Sequence, residues 1–258
     1  EAVLHRFRTL VWSRVLPVKF IAGVLALGSG LAMGREGPTV QMGGATGDAI
    51  AQFLRSRPRE RRTLIAAGAG AGLAAAFNAP LSGLTFVLEE VQRDFHPIVF
   101  AAAFIAAVIA DIVARLISGP DPVFAIPSYP LQPMTTLPVF AVLGLLAGLL
   151  GVAFNRGLLA TLNLAARLKA REVIGYAAIM GAIVGVVGWF APEGAGNGHG
   201  LAEVVLAGRM ALTLIPLWFV IRFGLTLGSY GTGAAGGIFA PLLALGALLG
   251  LGTGEVAR

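Results

Sequence analysis

Nine apolar stretches, joined by short polar or glycine-rich links, restrict what this chain can fold into. They lie at about residues 17–33, 38–54, 63–77, 80–90, 97–118, 138–158, 173–191, 201–221 and 236–250. Charged residues make up only 12% of the chain, against about 25% in soluble domains. The stretches are continuous, which argues against the alternating segments of roughly ten residues found in transmembrane barrels. The sequence therefore predicts an all-α, polytopic membrane protein.

Basic residues concentrate in three links between or before these stretches. The clusters are Arg6, Arg8, Arg14 and Lys19; Arg55, Arg57, Arg59, Arg61 and Arg62; and Arg167, Lys169 and Arg171. Short basic links of this kind fit the positive-inside rule and anionic lipid headgroups, so the net charge of +6 does not indicate nucleic-acid binding.

The chain has no cysteine, which excludes disulfides and thiolate metal sites. It begins with Glu1 and a basic stretch rather than Met and an apolar run, so we expect an internal piece of a longer protein.

Several of the apolar stretches are shorter than the roughly 20 residues that a membrane-spanning helix needs. Residues 63–77 and 80–90 are interpreted as two half-helices, separated at Phe77-Asn78-Ala79-Pro80. The stretch that opens at Gly236 is short as well. Short apolar segments interrupted by glycine or proline, at corresponding places in two halves of a chain, are typical of the binding site of a transporter.

The segment Gly34-Arg35-Glu36-Gly37-Pro38 puts two ionisable side chains between apolar runs. Charges at such a position are costly in a bilayer and by default indicate a functional site. Gly37 lets the backbone approach a ligand closely, and Pro38 suits the first residue of a helix. A helix that begins here directs backbone N–H groups and a positive dipole end outward. The sequence predicts an anion site with the Glu36 carboxylate tethered beside it.

A second glycine-rich segment, residues 231–241, has the same form without a charge. It reads Gly-Thr-Gly-Ala-Ala-Gly-Gly-Ile-Phe-Ala-Pro and precedes an apolar run. We expect Pro241 to lie in the first turn of a helix. The backbone N–H groups around Ile238 and Phe239 would then face an anion in the same way.

Five motifs in the order of the chain resemble those of one family. They are Arg14-Val15-Leu16-Pro17-Val18-Lys19-Phe20, Gly34-Arg35-Glu36-Gly37-Pro38, Phe77-Asn78-Ala79-Pro80-Leu81, Glu89-Glu90 and Gly236-Gly237-Ile238-Phe239-Ala240-Pro241. Their order and spacing are similar to those of the CLC chloride channels and proton/chloride antiporters, on the bacterial side of that family. The resemblance covers residues 1–258 and implies a partial CLC-type transmembrane domain, incomplete at both ends, of tilted and broken helices. About residues 1–118 would end the first inverted repeat, and about residues 136–258 would begin the second.

The resemblance implies roles for two glutamates. Glu36 is similar to the family's gating glutamate, which occupies the anion path when ionised and leaves it when protonated. Glu90 is similar to the inner glutamate that relays protons in exchangers and that channels commonly lack. The resemblance thus implies coupled proton/chloride antiport, gated by a protonatable glutamate, with a passive chloride channel as the alternative.

The resemblance also implies the anion contacts. Arg35 and the backbone at Gly37 are similar to part of the outer anion site, and Ile238 and Phe239 to the backbone donors of the central site. Lys19 is similar to a basic residue that supports the positive potential of the pathway. The implied partners are chloride, protons, the lipid bilayer of a bacterial inner membrane and a second copy of the full-length parent. The family's Gly-Ser-Gly-Ile-Pro segment and late tyrosine have no counterpart in the chain, which leaves nitrate or fluoride open as the anion.

Plainer interpretations stand beside these. Glu90, like Glu89, could simply end a span at the membrane interface, and Lys19 could extend its ammonium toward the lipid headgroups. Asp111 is expected to pair with Arg115 one helical turn later rather than to relay protons.

Two other functional classes compete with transport. An intramembrane enzyme would need a nucleophile with its base, or paired metal ligands. The chain has no Gly-x-Ser-x-Gly or His-Glu-x-x-His motif, and its three histidines lie in links or near the ends of segments. The sequence therefore predicts no enzyme, no metal site and no cofactor. A truncated, non-transporting fragment is the second class, and it depends on whether the parent gene encodes both flanking segments.

Overall fold

Helices account for most of the chain that the structure describes. The structure is a computed structural model and describes residues 11–93, 95–121, 123 and 133–256. Within these residues there are ten α-helices and no β-strand, which confirms the all-α prediction. The helices are α1 (Trp12–Gly28), α2 (Glu36–Phe53), α3 (Pro58–Phe77), α4 (Pro80–Phe86), α5 (Pro97–Ser118), α6 (Leu137–Ala165), α7 (Ala170–Phe190), α8 (His199–Leu206), α9 (Ile215–Gly231) and α10 (Phe239–Val256). Arg6, Arg8 and most of the link between 118 and 136 lie outside the described residues.

The chain forms two compact units, each with its own apolar core. The first contains the described parts of 11–24 and 35–123, and the second those of 25–34 and 133–256. The core of the first unit is formed by Ala66, Leu84, Val87, Leu88, Val99 and Ala103. The second unit has two apolar clusters: Ala26, Leu31, Ala32, Met33, Met180, Val184 and Leu225, and then Leu201, Val205, Ile215 and Leu248.

In the first unit, α2 and α3 lie antiparallel with their backbones in direct contact. A Cβ atom added at Gly43 would overlap the carbonyl oxygen of Gly68, and one at Gly47 would overlap that of Leu64. Glycines at four-residue spacing allow such close approach between membrane helices. The packing therefore sets the position of α2, which carries Glu36 at its start.

The predicted break at Phe77-Asn78-Ala79-Pro80 is confirmed, but α3 has 20 residues and is not the half-helix that was expected at 63–77. α3 ends at Phe77, Asn78 has a φ of 52°, and α4 begins at Pro80. Asparagine is one of the few residues that adopt this left-handed conformation readily. Arg115 Nη2 donates to the Asn78 carbonyl at 2.9 Å, and its Nε donates to Asp111 Oδ2 at 2.8 Å, so the expected Asp111–Arg115 pair is present.

Two predicted apolar stretches are divided differently in the structure. Residues 201–221 were expected as one segment, but they form part of α8 and the beginning of α9. A break lies at 207–211, where Gly208 has a φ of 67°, and a 3₁₀ turn at Leu212–Leu214 leads into α9. The stretch 17–33 is helical only as far as Gly28. Both predictions were wrong because the residues at these breaks are themselves mostly apolar, so hydropathy does not distinguish them from helix.

Four helical segments in the described part of the chain are long and apolar enough to cross a membrane. They are Pro97–Ser118, Met134–Ala165, Ala170–Phe190 and Leu212–Gly231. Large apolar side chains on these segments are exposed, as Leu116 (81%) and Trp189 (84%) show. Such extensive apolar surface is compatible with lipid rather than water. The protein is thus an integral, multi-pass membrane protein.

Candidate functional site

The start of α2, in the first unit, carries the predicted carboxylate. Glu36 is the first helical residue and is only 5% exposed. The residue before it, Arg35, makes no side-chain hydrogen bond that caps the helix. Pro38 is the third helical residue rather than the first, which corrects the sequence-based expectation. Proline is tolerated at either position, because the first four N–H groups of a helix have no acceptor within the helix and proline has no N–H group to lose.

The Arg35 side chain joins the start of α2 to the end of α3. Its Nη2 donates to the carbonyl oxygen of Ala76 at 2.6 Å. Carbonyls in the last turn of a helix lack intrahelical donors and lie at the negative end of its dipole, which favours a guanidinium there. Arg35 is therefore held beside the site, although the residue as a whole is exposed.

Helix α1 packs against the same helix start. A Cβ atom added at Gly23 would lie 3.4 Å from Pro38 Cβ. Lys19 is half-buried and precedes Gly23 by four residues, so the two share a face of α1. The backbone of Lys19 thus lies about one helical turn from the contact between α1 and α2.

Glu90 lies on a distorted turn that follows α4. Residues Val87–Val91 form a π-helical turn, and Gln92 N donates to Val87 O at 2.8 Å. π turns of this kind frequently occur at functional sites. Glu90 is exposed, as is Glu89, and Gln92 Nε2 donates to the Arg62 carbonyl at 3.2 Å. The turn is therefore attached to the beginning of α3.

The two candidate proton-carrying residues consequently lie toward opposite ends of α3. Glu36 is next to Arg35, which contacts Ala76, whereas the turn of Glu90 contacts Arg62. With a rise of about 1.5 Å per residue, the helix from Arg62 to Ala76 spans about 21 Å. Direct proton transfer requires hydrogen-bond distance, about 3 Å. These contacts do not bring the two carboxyl groups together, so we expect proton transfer between them to need intermediate carriers.

In the second unit, α10 begins at Phe239 and has Pro241 as its third residue, as predicted for the first turn. No residue from 223 to 254 is charged. A cleft of about 460 Å³ adjoins this helix start, lined by Ala202, Leu206, Phe239, Leu242, Leu243, Gly246 and Ala247. Because these side chains are apolar, the backbone N–H groups are the donors that this helix start can offer to an anion.

Two glycine turns are paired within the second unit. We call residues 29–34 the first glycine turn and residues 232–238 the second glycine turn. Gly34 N donates to Gly237 O at 2.7 Å, and Gly237 N donates to Gly34 O at 2.7 Å. A Cβ atom at Gly236 would overlap the side chain of Met33, so the two turns are in close contact as well as hydrogen-bonded.

This pairing fixes the direction of the next N–H group in the chain. In a trans peptide the C=O and N–H bonds point in opposite directions. The Gly237 carbonyl points toward Gly34, so the N–H group of Ile238 points away from it. The predicted donor at Ile238 is therefore oriented by a backbone contact two residues before the helix begins.

The comparisons with known proteins agree with this arrangement. The family described as voltage gated chloride channel matches residues 1–258, the whole chain. The chain belongs to this family. Its all-α fold with broken helices is the family's CLC fold, as the resemblance of the motifs predicted.

Relatives within the family are exchange transporters. The H(+)/Cl(-) exchange transporter ClcA of Salmonella arizonae is 41% identical over 263 residues, and that of Vibrio cholerae is 42% identical over 264. Both alignments cover 100% of this chain and 56% of the relative, so the chain spans little more than half their length.

Solved structures in the family are similar as well. A slow cyanobacterial Cl-/H+ antiporter has a TM-score of 0.90 and 35% identity, over 96% of this chain and 59% of its own. A CLC-type fluoride/proton antiporter has a TM-score of 0.81 at 23% identity, over 96% of this chain and 62% of its own, and shows likeness of fold alone.

This family member also carries a buried arginine that the sequence analysis did not single out. Arg222 of α9 is fully buried and donates through Nη1 to the carbonyls of Gly194, at 3.2 Å, and Gly196, at 2.7 Å. Gly196 N in turn donates to Gly30 O at 2.9 Å. Arg222 thus supports the first glycine turn through one intermediate residue. A lone arginine within an apolar helix is the signal that would have found it.

The sequence analysis also missed an ion pair. Asp48 of α2 is fully buried, and its Oδ1 accepts a hydrogen bond from Arg61 Nε of α3. Its Oδ2 accepts one from Gln52 at 2.8 Å. Asp48 and Arg61 are thirteen positions apart in sequence and belong to different helices, which hides the pair from any local pattern. The pair joins α2 to the beginning of α3.

Proposed function

We propose that the protein to which this chain belongs exchanges protons for chloride across a bacterial inner membrane. The observation that carries the proposal is the match between the two helix starts. Gly34 to Pro38 and Gly237 to Pro241 have their glycines paired and their prolines at the third helical position. One of these helix starts carries a buried carboxylate, Glu36, and the other carries none. The exchange transporters among the relatives support the same conclusion.

Backbone donors suit an anion that must be released again. The N–H groups at a helix start replace part of the anion's hydration without a full positive charge in its path. Conduction requires binding that is strong enough for entry and weak enough for exit. We assign Gly37, Ile238 and Phe239 to this role, with Arg35 and Lys19 supplying positive potential near the start of α2.

Glu36 would couple the anion to a proton. An ionised carboxylate at a helix start competes with an anion for the same donors. A protonated carboxyl group carries no charge and no longer competes with the anion. Anion occupancy would therefore accompany protonation of Glu36 and alternate with its ionised form.

Glu90 would exchange protons with water at the other end of the path. It is exposed, as a proton-accepting entry residue must be. Since about 21 Å of α3 separates the surroundings of the two glutamates, protons would need intermediate carriers, for which water is the simplest. Chloride and protons are thus the proposed substrates, and transport rather than catalysis is the proposed activity. The family resemblance extends the proposal to a homodimer of the full-length parent.

The test is chloride-driven proton movement in liposomes that contain the full-length parent protein. Glu36→Gln and Glu90→Gln should each abolish uphill proton movement while chloride flux persists. Glu89→Gln is the matched control, since it removes an exposed carboxylate from the adjacent position, and it should leave coupling unchanged. Chloride flux without proton movement in the unmodified protein would instead identify a passive channel. Absence of any chloride flux would contradict both functions.

A further inference from the structure

Side chains at the end of α9 hold the backbone of both glycine turns. Ser229 is fully buried, and its Oγ accepts a hydrogen bond from the N–H group of Ala32 at 3.0 Å. The Tyr230 hydroxyl donates to the Gly236 carbonyl at 3.0 Å. Thr232 Oγ1 donates to the Ser229 carbonyl at 2.6 Å and accepts from Ala234 N at 3.2 Å. Three polar side chains within four residues are thus engaged with the backbone of the turns.

The bond from Tyr230 restrains a particular peptide plane. The Gly236 carbonyl and the Gly237 N–H group belong to the same planar peptide unit. The carbonyl accepts from Tyr230, and the N–H group donates to Gly34. The plane is therefore held on both edges, by a side chain on one and by the first glycine turn on the other. The following peptide unit carries the N–H group of Ile238.

Ser229 restrains the first glycine turn, which lies on the other side of the Gly34–Gly237 pair. Its contact with Ala32 lies two residues before Gly34, the residue that pairs with Gly237. Ala32 and Met33 are completely buried, so the first glycine turn has little room to shift while this bond is intact. Ser229 and Tyr230 are adjacent in α9 and act on the two turns that meet at the Gly34–Gly237 pair.

We propose that Tyr230 and Ser229 are positioning residues for anion binding, and that they orient the Ile238 N–H donor through the two glycine turns. The proposal rests on the function proposed above, because it assumes that Ile238 faces the anion. Tyr230 would act through the Gly236 carbonyl and touch no anion itself. The Tyr230 and Ser229 side chains would thereby set how strongly the backbone N–H donors bind an anion, and which anion they prefer.

The same unit provides a matched control. The Tyr176 hydroxyl of α7 donates to the Gly228 carbonyl of α9 at 2.8 Å. Tyr176 and Tyr230 are both half-buried, and each gives one hydroxyl hydrogen bond to a glycine carbonyl. Gly228 lies within the helix, whereas Gly236 lies in the second glycine turn. Both substitutions remove a hydroxyl hydrogen bond to a glycine carbonyl, but only Tyr230→Phe releases the peptide next to Ile238.

The experiment uses the full-length parent protein in detergent, with chloride affinity measured by calorimetry and thermal unfolding measured on the same samples. The affinity of Tyr230→Phe should fall about three- to tenfold, as expected from one misdirected hydrogen bond. Tyr176→Phe should stay within about twofold in affinity and lose thermal stability to a similar degree. Ser229→Ala provides a second variant, and its affinity should change in the same direction as that of Tyr230→Phe.

Selectivity gives a readout that a loss of stability alone would not change. In vesicles, the ratio of nitrate to chloride uptake should shift for Tyr230→Phe and Ser229→Ala but not for Tyr176→Phe. Equal affinities and equal uptake ratios for Tyr230→Phe and Tyr176→Phe would overturn the proposal while leaving chloride transport in place. An unmodified protein that neither binds nor transports chloride would overturn the proposed function, and this inference with it.

Discussion

Gly34 and Gly237 exchange two backbone hydrogen bonds, each 2.7 Å long. Each glycine stands two residues before a helix begins, and each helix has proline as its third residue, at Pro38 and Pro241. The contact thus joins equivalent positions of two similar segments, and each member of the pair satisfies the other's N–H and C=O groups. A local two-fold relation of this kind is what two inverted repeats would produce where they meet. The division into repeats at about 118 and 136 stays a prediction.

Gly236→Ala should disturb this contact directly. The new methyl group would overlap the side chain of Met33, which is completely buried and cannot move aside easily. Overpacking of this kind costs about 1–3 kcal/mol, so the thermal midpoint of the purified parent protein should fall and chloride affinity should weaken. Gly246→Ala on α10 is the control, because a Cβ atom there has no heavy atom within 4 Å. A Gly236→Ala protein as stable as this control would contradict the close packing of the two turns.

Gly47→Ala should separate α2 from α3. A Cβ atom at Gly47 would overlap the Leu64 backbone, which can move only if the helices part. We expect a loss of about 1–3 kcal/mol in the free energy of unfolding, together with slower proton-coupled transport, because α2 carries Glu36. Gly144→Ala on α6 meets nothing within 4 Å and should be neutral. Denaturation of both variants in the same detergent measures the difference, and equal stability would contradict the prediction.

The sequence predicted the helix starts well because each has a local chemical signal. Glycine before the helix and proline in its first turn specify both α2 and α10 without tertiary information. The break at Asn78 was predictable for the same reason, since proline follows it closely. The break between α8 and α9 was not, because residues 207–211 contain a single positive-φ glycine and only one charged residue, Arg209, among apolar residues.

The supporting network around the site could not be predicted. Ser229 contacts Ala32 across 197 positions, and Arg222 contacts Gly196 across 26. Such pairs depend on how helices pack, and no periodicity in the sequence encodes them. The sequence shows which residues are polar or charged, but it does not show which partner each side chain contacts.

Asn78→Ala should weaken the junction between α3 and α4. Asn78 has a φ of 52°, and its Nδ2 donates to the Asp121 carbonyl at 3.0 Å. Alanine in the left-handed region costs about 1–2 kcal/mol, and it also lacks the hydrogen bond. Asn78→Gly loses the same hydrogen bond but adopts the conformation without strain, so it should be the more stable of the two variants. A reversed order in thermal unfolding would show that backbone strain at residue 78 does not decide the stability of this junction.

The Asp48–Arg61 pair should stabilise the packing of α2 on α3 beyond what the glycines provide. Arg61→Ala leaves the buried Asp48 carboxylate with Gln52 as its remaining side-chain partner. Breaking a fully buried pair costs several kcal/mol, but the Arg61 side chain is 42% exposed, and water screens it. We therefore expect a loss on the order of 1–2 kcal/mol.

A double-mutant cycle separates this pair from the rest of the interface. Asp48→Ala with Arg61→Ala should lose less stability than the sum of the two single variants, because the double variant leaves no buried charge uncompensated. Arg59→Ala removes an exposed arginine from the same helix turn and should change stability by less than about 0.5 kcal/mol. If the losses from Asp48→Ala and Arg61→Ala were simply additive, the two side chains would contribute independently and the pair would not act as a clamp between α2 and α3.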